Sequence, residues 1–230
     1  MTTPAPIAIR LMTVRIRSPK LDVLQCSRIL THHNATASPR LSGMPKQVDE
    51  DQRRTEIAYG VIAVMAERGL AAVSLRSVAA AAGISMGRVQ HYFATKAELV
   101  QHACAMILER AHARFDEAGG SPREQLRALL TMGLPSSEQD RTGAAVWYAF
   151  IGAAATDPAL AAIIREGWDG MQESARRLLV EAGVPDPTVA ARALTAISDG
   201  LVLRILLGHL DAPSARQAID AALADWLPQD

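Results

Sequence analysis

Apolar side chains recur at helical spacing along most of this sequence, beginning near Asp49. Ile57, Val61 and Val64 follow one another at intervals of four and three residues, which places their side chains on one face of a helix. Gly69 comes after this stretch and is typical of a helix end. The pattern therefore predicts a first helix with one buried stripe that ends near this glycine.

Later helix starts are marked by capping residues. The side-chain oxygens of Ser, Thr and Asp accept hydrogen bonds from the free N–H groups at a helix start, and proline fits the first helical position. The sequence predicts short helices over Leu75–Ala82 and Met86–Tyr92 and a long one from Lys96 to about Glu117. The capping residues of these and later helices are Ser74, Ser85, Thr95, Ser121, Asp157 and Asp186. About nine helices and no strand-type alternation result, so we expect an all-α fold.

The composition is typical of an ordinary soluble globular protein. Of 230 residues, 49% are hydrophobic and only 4% aromatic, so Ala, Leu, Val and Ile must form the core. Two cysteines are too few for a disulfide framework or a structural zinc site, and no apolar run is long enough to span a membrane. We therefore expect a cytoplasmic protein that uses no metal and no cofactor.

Residues 1–43 differ from the rest of the chain. They contain six Lys or Arg and one acidic residue, together with scattered prolines and no sustained helical period. This pattern predicts a disordered basic extension. Two alternatives stay open: the true translation start is Met44, or the extension is a basic arm that contacts nucleic acid phosphates.

The segment 74–96 carries the clearest functional pattern. Two short predicted helices joined at Gly83 indicate a helix-turn-helix, because glycine adopts the left-handed conformation that the tight turn needs. Arg88 and Gln90 face outward on the second helix, where Arg can read guanine and Gln adenine in the major groove. Residues 68–97 contain four basic residues and no acidic one, as expected where phosphates lie. An Ala-rich hairpin packed inside a helical bundle would not explain these polar residues.

In the run SLRSVAAAAGISMGRVQHYFATK, and more broadly over residues 47–107, the chain resembles TetR-type (tetracycline-repressor-like) transcriptional regulators. The shared features are the Ala-rich helix closing on glycine, the Ile-Ser pair, the short second helix and the His-Tyr-Phe run followed by Lys. Gln90 stands where the family usually has Tyr, and Arg88 stands where a small hydroxyl residue is common. The resemblance implies DNA contacts from Ser74, Arg76, Ser85, Met86, Gly87, Arg88, Gln90, His91, Tyr92 and Lys96.

The resemblance also implies a C-terminal helical domain that binds a ligand and forms a homodimer. The chain would then comprise residues 1–43, a three-helix helix-turn-helix DNA-binding domain over 44–94 and a ligand-binding and dimerisation domain over 95–230. The predicted helix from Val189 to Leu210 is apolar nearly all round towards its end, so its second side needs a partner. The residues expected at the dimer interface are Leu201, Ile205, Ala218, Ala222 and Trp226.

Aromatic residues are scarce, yet three of the nine lie within four residues of one another on one predicted helix. They line a pocket for a small, largely apolar effector, or they form ordinary core. Asp199 and Arg204 are expected in salt bridges at the rim or, alternatively, as polar groups of the pocket. The long helix from Lys96 would carry ligand-induced movement to the DNA-binding domain. The expected pocket residues are Met106, Arg110, Trp147, Phe150, Trp168 and Met171.

The sequence thus predicts a homodimeric repressor that a small-molecule effector releases from double-stranded operator DNA. The alternative is an all-α lyase or hydrolase in which the helical hairpin is structural. Glu109 and His112 form one Glu-x-x-His element, but a di-iron site needs a second copy that the sequence lacks. An exposed Arg88 would favour the regulator, and an Arg88 in a cleft the enzyme. For Arg53 and Arg54, at the start of the first predicted helix, two interpretations stay open: they reach a flanking phosphate or the minor groove, or they form a solvated helix start.

Overall fold

The computed structural model describes residues 46–116 and 119–227, so the expectations for residues 1–43 lie outside the described residues. Within these ranges nine α-helices and one 3₁₀ turn, Leu70–Ala72, follow one another, and the all-α prediction is confirmed. The helices are α1 (Lys46–Arg68), α2 (Leu75–Ala82), α3 (Met86–Tyr92), α4 (Lys96–Asp116), α5 (Pro122–Thr131), α6 (Glu138–Ala154), α7 (Pro158–Glu181), α8 (Pro187–Leu206) and α9 (Ala212–Trp226).

Capping side chains fix the helix starts, as the sequence predicts. The Ser74 hydroxyl accepts a hydrogen bond from the N–H of Ser77, and the Ser85 hydroxyl accepts one from the N–H of Arg88. Each such cap stabilises its helix by about 1 kcal/mol. Side-chain caps also start the later helices, at Thr95, Ser121, Ser137, Asp157, Asp186 and Asp211. The caps at Ser137 and Asp211 are additions to the predicted set.

Two clusters of buried apolar side chains hold the helices together. The first joins α1, α2, α3 and the beginning of α4, and it continues into α6 and α7 through Phe150 and Leu160. The second joins α5, the end of α7, α8 and α9. Helix α4 takes part in both clusters, with Leu99 in the first and Phe115 in the second. The helix that follows the helix-turn-helix is therefore packed into both halves of the protein.

Helix α8 ends earlier than the sequence predicts. Gly208 has φ of 72°, a left-handed conformation that glycine adopts without strain. Its N–H bonds the carbonyl of Ile205 at 3.0 Å, and the N–H of His209 bonds the carbonyl of Arg204 at 2.9 Å. These bonds satisfy the last carbonyls and close the helix at Leu206. The predicted continuation to residue 210 is therefore wrong.

Candidate DNA-binding surface and ligand cavity

Helix α3, the second helix of the helix-turn-helix, is anchored along one face. Gly83 has φ of 68° and turns the chain between α2 and α3. Val89 in the middle of α3 and Phe93 at its end are both buried in the first core cluster. The opposite face of α3 is left to solvent, which presents its polar side chains outward.

All but one of the residues predicted to contact DNA are exposed to solvent. Those that are exposed are Ser74, Arg76, Ser85, Met86, Gly87, Arg88, Gln90, His91 and Lys96. Tyr92 is half-buried and its ring packs edge-on against that of His91, with 5.0 Å between the ring centres. None of these residues lines either of the two cavities described below. Their position matches a surface that reads DNA and not a catalytic cleft.

Lys96 is engaged within the chain although its side chain is exposed. Its Nζ donates a hydrogen bond to the carbonyl of Leu70 at 3.1 Å and lies 3.4 Å from the carbonyl of Ala71. Both carbonyls belong to the 3₁₀ turn that leads into α2. An ammonium group has three donors, so one remains for a phosphate oxygen. Lys96 therefore ties the start of α4 to the entrance of the helix-turn-helix.

Arg54 has a role that neither of its sequence-based interpretations describes. Its guanidinium donates a hydrogen bond to the carbonyl of Tyr92 at 3.2 Å, and its Cζ lies 4.5 Å from the centre of the Phe93 ring. These contacts hold the end of α3 against α1. Arg53 behaves differently, because it forms an ion pair with Glu56 one turn further along α1. No local sequence pattern pairs Arg54 with a residue 38 positions away.

His102 completes the packing at this junction. Its ring lies 5.1 Å from that of Phe93, and its Nε2 is buried without a hydrogen-bond partner among the described residues. Burial first, and the nearby Arg54 charge second, lower the pKa of His102 below its usual value. The imidazole is therefore neutral at neutral pH, and the guanidinium is not faced by a second positive charge.

A cavity of about 500 Å³ opens among the helices of the C-terminal half. Three of the six predicted pocket residues line it: Trp147, Trp168 and Met171. Other side chains that line it include Ile107, Leu108, Phe115, Leu129, Tyr148 and Val202. The wall is therefore largely apolar and aromatic, as is usual for small-molecule sites, but it also includes charged side chains such as Arg114, Arg216 and Asp199.

Met106, Arg110 and Phe150 do not line this cavity. Met106 and Phe150 are buried in the first core cluster, and the Arg110 guanidinium lies 5.0 Å from the centre of the Tyr59 ring. Successive residues of a helix point about 100° apart, so a shift of one position moves a side chain to another face. The prediction chose the right helices but the wrong faces of them for these three residues.

Helices α4 and α7 approach each other closely beside the cavity. A Cβ atom added at Gly167 would lie 2.5 Å from the Cδ2 atom of Leu108, closer than two carbon atoms approach without one of them moving. One turn further along α7, a Cβ at Gly170 would lie 3.1 Å from the ring of His112. Gly167, Leu108 and His112 all line the cavity. A ligand there would therefore act directly on the contact between these two helices.

Asp199 brings a carboxyl group to the cavity wall. The Tyr148 hydroxyl donates a hydrogen bond to the backbone carbonyl of Asp199 at 2.5 Å. Burial raises the pKa of the Asp199 carboxyl to about 6, and within the described part of the chain this carboxylate forms no ion pair. Asp199 and Trp168 also line an adjoining pocket of about 130 Å³. The expectation of a rim salt bridge is therefore wrong for Asp199, which is a polar group of the cavity.

The two last helices present a second exposed surface. Three large apolar side chains of α8 point into solvent, and Leu207, just after it, retains 76% of its accessible surface. Ala218 on α9 is exposed, whereas Leu201, Ala222 and Trp226 are half-buried against the second core cluster. The exposed apolar side chains on and just beyond α8 are Val189, Ile197, Leu203 and Leu207. These residues, together with Ala218, define what we call the α8–α9 face.

Ile205 does not belong to this face. Only 3% of its surface is accessible, because its side chain packs in the chain's own second core cluster. The expectation that Ile205 meets a partner is therefore wrong. On a helix that is apolar on two sides, the sequence alone does not say which side faces the chain's own core.

Groups for metal or thiol chemistry are scarce in residues 46–116 and 119–227. No cluster of three or more His, Cys, Asp or Glu side chains is placed there to hold a metal ion. Burial raises the pKa of the Cys104 thiol to about 12, which leaves the sulfur protonated and unreactive. Among the helices of these two ranges, none combines the length and the hydropathy that a bilayer crossing requires.

Two family profiles match the sequence. Residues 62–103 match the profile described as bacterial regulatory proteins of the tetR family, and residues 122–228 match the profile described as BetI-type transcriptional repressor, C-terminal. The HTH-type transcriptional regulator BetI of Stenotrophomonas maltophilia is 33% identical over 184 residues, covering 76% of this chain and 92% of the relative. These matches are to regulators of transcription and do not support the enzyme alternative.

Solved structures of regulators have the same fold. A transcriptional regulator from Rhodococcus sp. Rha1 superposes with a TM-score of 0.70 at 32% identity, covering 75% of this chain and 95% of that one. A regulator from Saccharomonospora viridis in complex with choline superposes with a TM-score of 0.70 at 20% identity, covering 78% and 100% of the two chains. At the lower identity the likeness concerns the fold alone.

Proposed function

The chain belongs to the TetR family of transcriptional regulators, and we propose that it is a homodimeric repressor that leaves its operator when a small organic cation fills the cavity. The observation that carries this proposal is the course of α4. This helix begins at Lys96 beside the helix-turn-helix and lines the cavity from Ile107 to Phe115. A single helix therefore connects the proposed DNA surface with the proposed effector site. The proposed repressor would act in the cytoplasm.

The proposed DNA contact is insertion of α3 into the major groove. A helix of this length reaches base edges with its exposed side chains while its buried face stays on the domain. Arg88 and Gln90 are the side chains suited to guanine and adenine, and the exposed Ser74, Arg76 and Lys96 would meet phosphates. Tyr92, which is half-buried, would contribute a hydroxyl hydrogen bond to the DNA backbone.

The proposed dimer forms through the α8–α9 face. Apolar side chains such as Leu203 and Leu207 are costly to leave in water, and a second copy of the same face would cover them. Small residues such as Ala218 on α9 would let the two copies approach closely. Two recognition helices related by a twofold axis would then meet half-sites about 34–36 Å apart.

The proposed effector has an apolar body and one positive charge. Trp147, Tyr148 and Trp168 offer aromatic surfaces, which attract cations through the negative faces of their rings. The Asp199 carboxylate lacks an ion-pair partner among the described residues and would gain one from a bound cation. Choline, the ligand of the Saccharomonospora viridis regulator, is the simplest probe with these properties.

Release from DNA would follow from movement of α4. A ligand beside Leu108 and Gly167 changes the spacing of α4 and α7, and α4 carries Lys96 and the helix-turn-helix at its other end. The dimer would exist in two geometries, one that fits DNA and one that does not. A ligand shifts the equilibrium between them only as far as it binds the two with different affinity. The spacing of the two recognition helices is the quantity that must differ between the states.

A mobility-shift experiment with the full chain tests this function. The DNA is the region beside the protein's own gene, and the ligands are choline and its uncharged isostere 3,3-dimethylbutan-1-ol. We expect a specific complex that choline dissociates and the uncharged alcohol does not. If the chain binds this DNA no more tightly than random sequence, the proposed repressor function is wrong. If both ligands have equal effects, the effector does not need a positive charge.

A further inference from the structure

The recognition surface of α3 contains an apolar side chain among polar ones. Met86 is the first residue of the helix and retains 41% of its accessible surface. The other large apolar side chains that are exposed in the described ranges lie on α7, on α8 or just after α8, far along the chain from α3. An exposed apolar side chain alone needs no explanation, but this one sits where base edges would be read.

Met86 shares its side of the helix with Gln90. The two residues are four positions apart, so their side chains are neighbours, with about 6 Å of helix rise between them. Arg88, two positions from each of them, is also exposed but points to another part of the solvent face of α3. A rise of about 6 Å corresponds to fewer than two base-pair steps, since successive base pairs are about 3.4 Å apart.

The space beside Met86 is open. Among the described residues, a Cβ atom at Gly87 would meet no atom of another part of the chain within 4 Å, so the helix surface next to Met86 is open there. The Ser85 hydroxyl is occupied by the N–H of Arg88, at 3.2 Å, and so fixes the first turn of the helix. A flexible thioether on a fixed helix start is free to meet an apolar group of a partner.

We propose that Met86 and Gln90 together select A·T base pairs at neighbouring positions of the operator half-site, Met86 by contact with a thymine methyl group and Gln90 by hydrogen bonds to an adenine. The thymine C5-methyl is the one apolar group that a base presents in the major groove, and the adenine N6 and N7 atoms match a glutamine amide. This inference rests on the proposed DNA-binding function and adds the bases that the operator must contain.

The experiment begins with a half-site that the full-length chain selects from random duplex DNA. Each thymine of this duplex is then replaced singly by deoxyuridine, which removes the methyl group and changes nothing else. We expect one position at which the loss weakens binding by about fourfold, as removal of one buried methyl group does. Replacement of the neighbouring adenine by 7-deazaadenine should weaken binding by about tenfold, because one of the two hydrogen bonds to Gln90 is lost.

Variants assign the two effects to their side chains. Met86→Ala should bind the thymine and deoxyuridine duplexes equally, whereas Met86→Leu keeps an apolar contact and should still prefer thymine. Gln90→Ala should no longer distinguish adenine from 7-deazaadenine. Because Met86 and Gln90 are exposed, unchanged thermal unfolding is the check that the variants fold.

The outcomes separate this inference from the function on which it rests. If the chain selects no sequence from random duplex DNA, the proposed repressor function is wrong. Selection of a half-site whose thymines all tolerate deoxyuridine would overturn only the reading by Met86, and so would an unchanged deoxyuridine effect in Met86→Ala.

Discussion

The guanidinium of Arg54 on α1 donates a hydrogen bond to the backbone carbonyl of Tyr92, the last residue of α3, across 3.2 Å. The final carbonyls of a helix have no partner within the helix, and a cation there also meets the negative end of the helix dipole. Arg54 thereby holds the C-terminal end of α3 against α1. It is a positioning residue for the recognition helix, because its guanidinium contacts the Tyr92 carbonyl and the Phe93 ring.

Replacement of Arg54 by Met should weaken operator binding without removing a phosphate contact. The hydrogen bond to Tyr92 and the contact with the Phe93 ring are lost, at a cost of about 1–3 kcal/mol in the stability of this junction. We expect lower specific affinity and an unchanged dependence of the logarithm of affinity on that of salt concentration. Both are measured by fluorescence anisotropy over a salt series.

Arg53→Met is the matched control for this variant. Its guanidinium pairs with Glu56 on the same helix and is partly exposed, so its loss should leave operator affinity nearly unchanged. A decrease of about 0.9 in the salt slope of Arg54→Met would instead identify Arg54 as a phosphate contact.

Arg88→Ala should weaken binding to the operator by about 1–3 kcal/mol, as expected for an arginine that reads a base edge. Arg88 is exposed on the solvent face of α3, where no acidic side chain is its neighbour in sequence. Binding to random DNA should change little, so the ratio of specific to non-specific affinity falls. Equal losses on both DNAs would make Arg88 a phosphate contact instead.

The local structure of this protein could be predicted from its sequence because local interactions determine it. Ser74 and Ser85 cap the two short helices, and Gly83 turns the chain between them, all within one 23-residue segment. The contact between Arg54 and Tyr92 joins residues 38 positions apart, and no periodic pattern in the sequence indicates it. Pairings of this kind depend on how the helices pack, which a single sequence does not display.

Helix faces were harder to predict than helix positions. Leu203 is exposed and Ile205 is buried, although both lie in one apolar stretch of α8. Two sides of such a helix satisfy the same hydrophobic pattern, so only the packing of its neighbours decides which side is inward. The same uncertainty explains why Met106 was expected at the cavity when Ile107 and Leu108 line it.

A charge on the α8–α9 face should separate the proposed dimer. In the double variant Leu203→Glu and Leu207→Glu, two carboxylates would have to be buried against the partner without a counter-charge. Sedimentation velocity should show a monomer, and operator affinity should fall by at least about tenfold because the second half-site no longer contributes. Ala162→Glu, on an exposed position of α7, is the control and should remain a dimer. A double variant that sediments as the wild type does would place the interface elsewhere.

Gly167→Ala should reduce the response to ligand. The added methyl group would lie 2.5 Å from Leu108 Cδ2, so the leucine side chain must move into the cavity or α4 must move away from α7. We expect weaker choline binding by calorimetry and a smaller effect of choline on the operator complex. Gly152→Ala, where a Cβ meets nothing within 4 Å, should stabilise α6 by about 0.5–1 kcal/mol and leave the response intact. An unchanged response in Gly167→Ala would show that the α4–α7 contact does not transmit ligand binding.

Choline binding should depend on pH through Asp199. Burial raises the pKa of this carboxyl to about 6, so it is protonated below that pH and charged above it. Between about pH 4 and 6 the folded chain therefore holds a proton that the unfolded chain has lost, and the ligand-free protein becomes less stable as pH rises through this interval. A bound cation favours the charged carboxylate, so affinity for choline should rise by up to about tenfold per pH unit below pH 6 and level off above it.

Calorimetry at pH 5 and pH 7.5 measures this dependence. Asp199→Asn should bind choline weakly and equally at both pH values, because its amide does not titrate. The uncharged 3,3-dimethylbutan-1-ol should show no gain at the higher pH, since it has no charge to pair with the carboxylate. If choline binds wild type with the same affinity at both pH values, Asp199 does not contact the cation, and the aromatic side chains Trp147 and Trp168 alone would have to hold it.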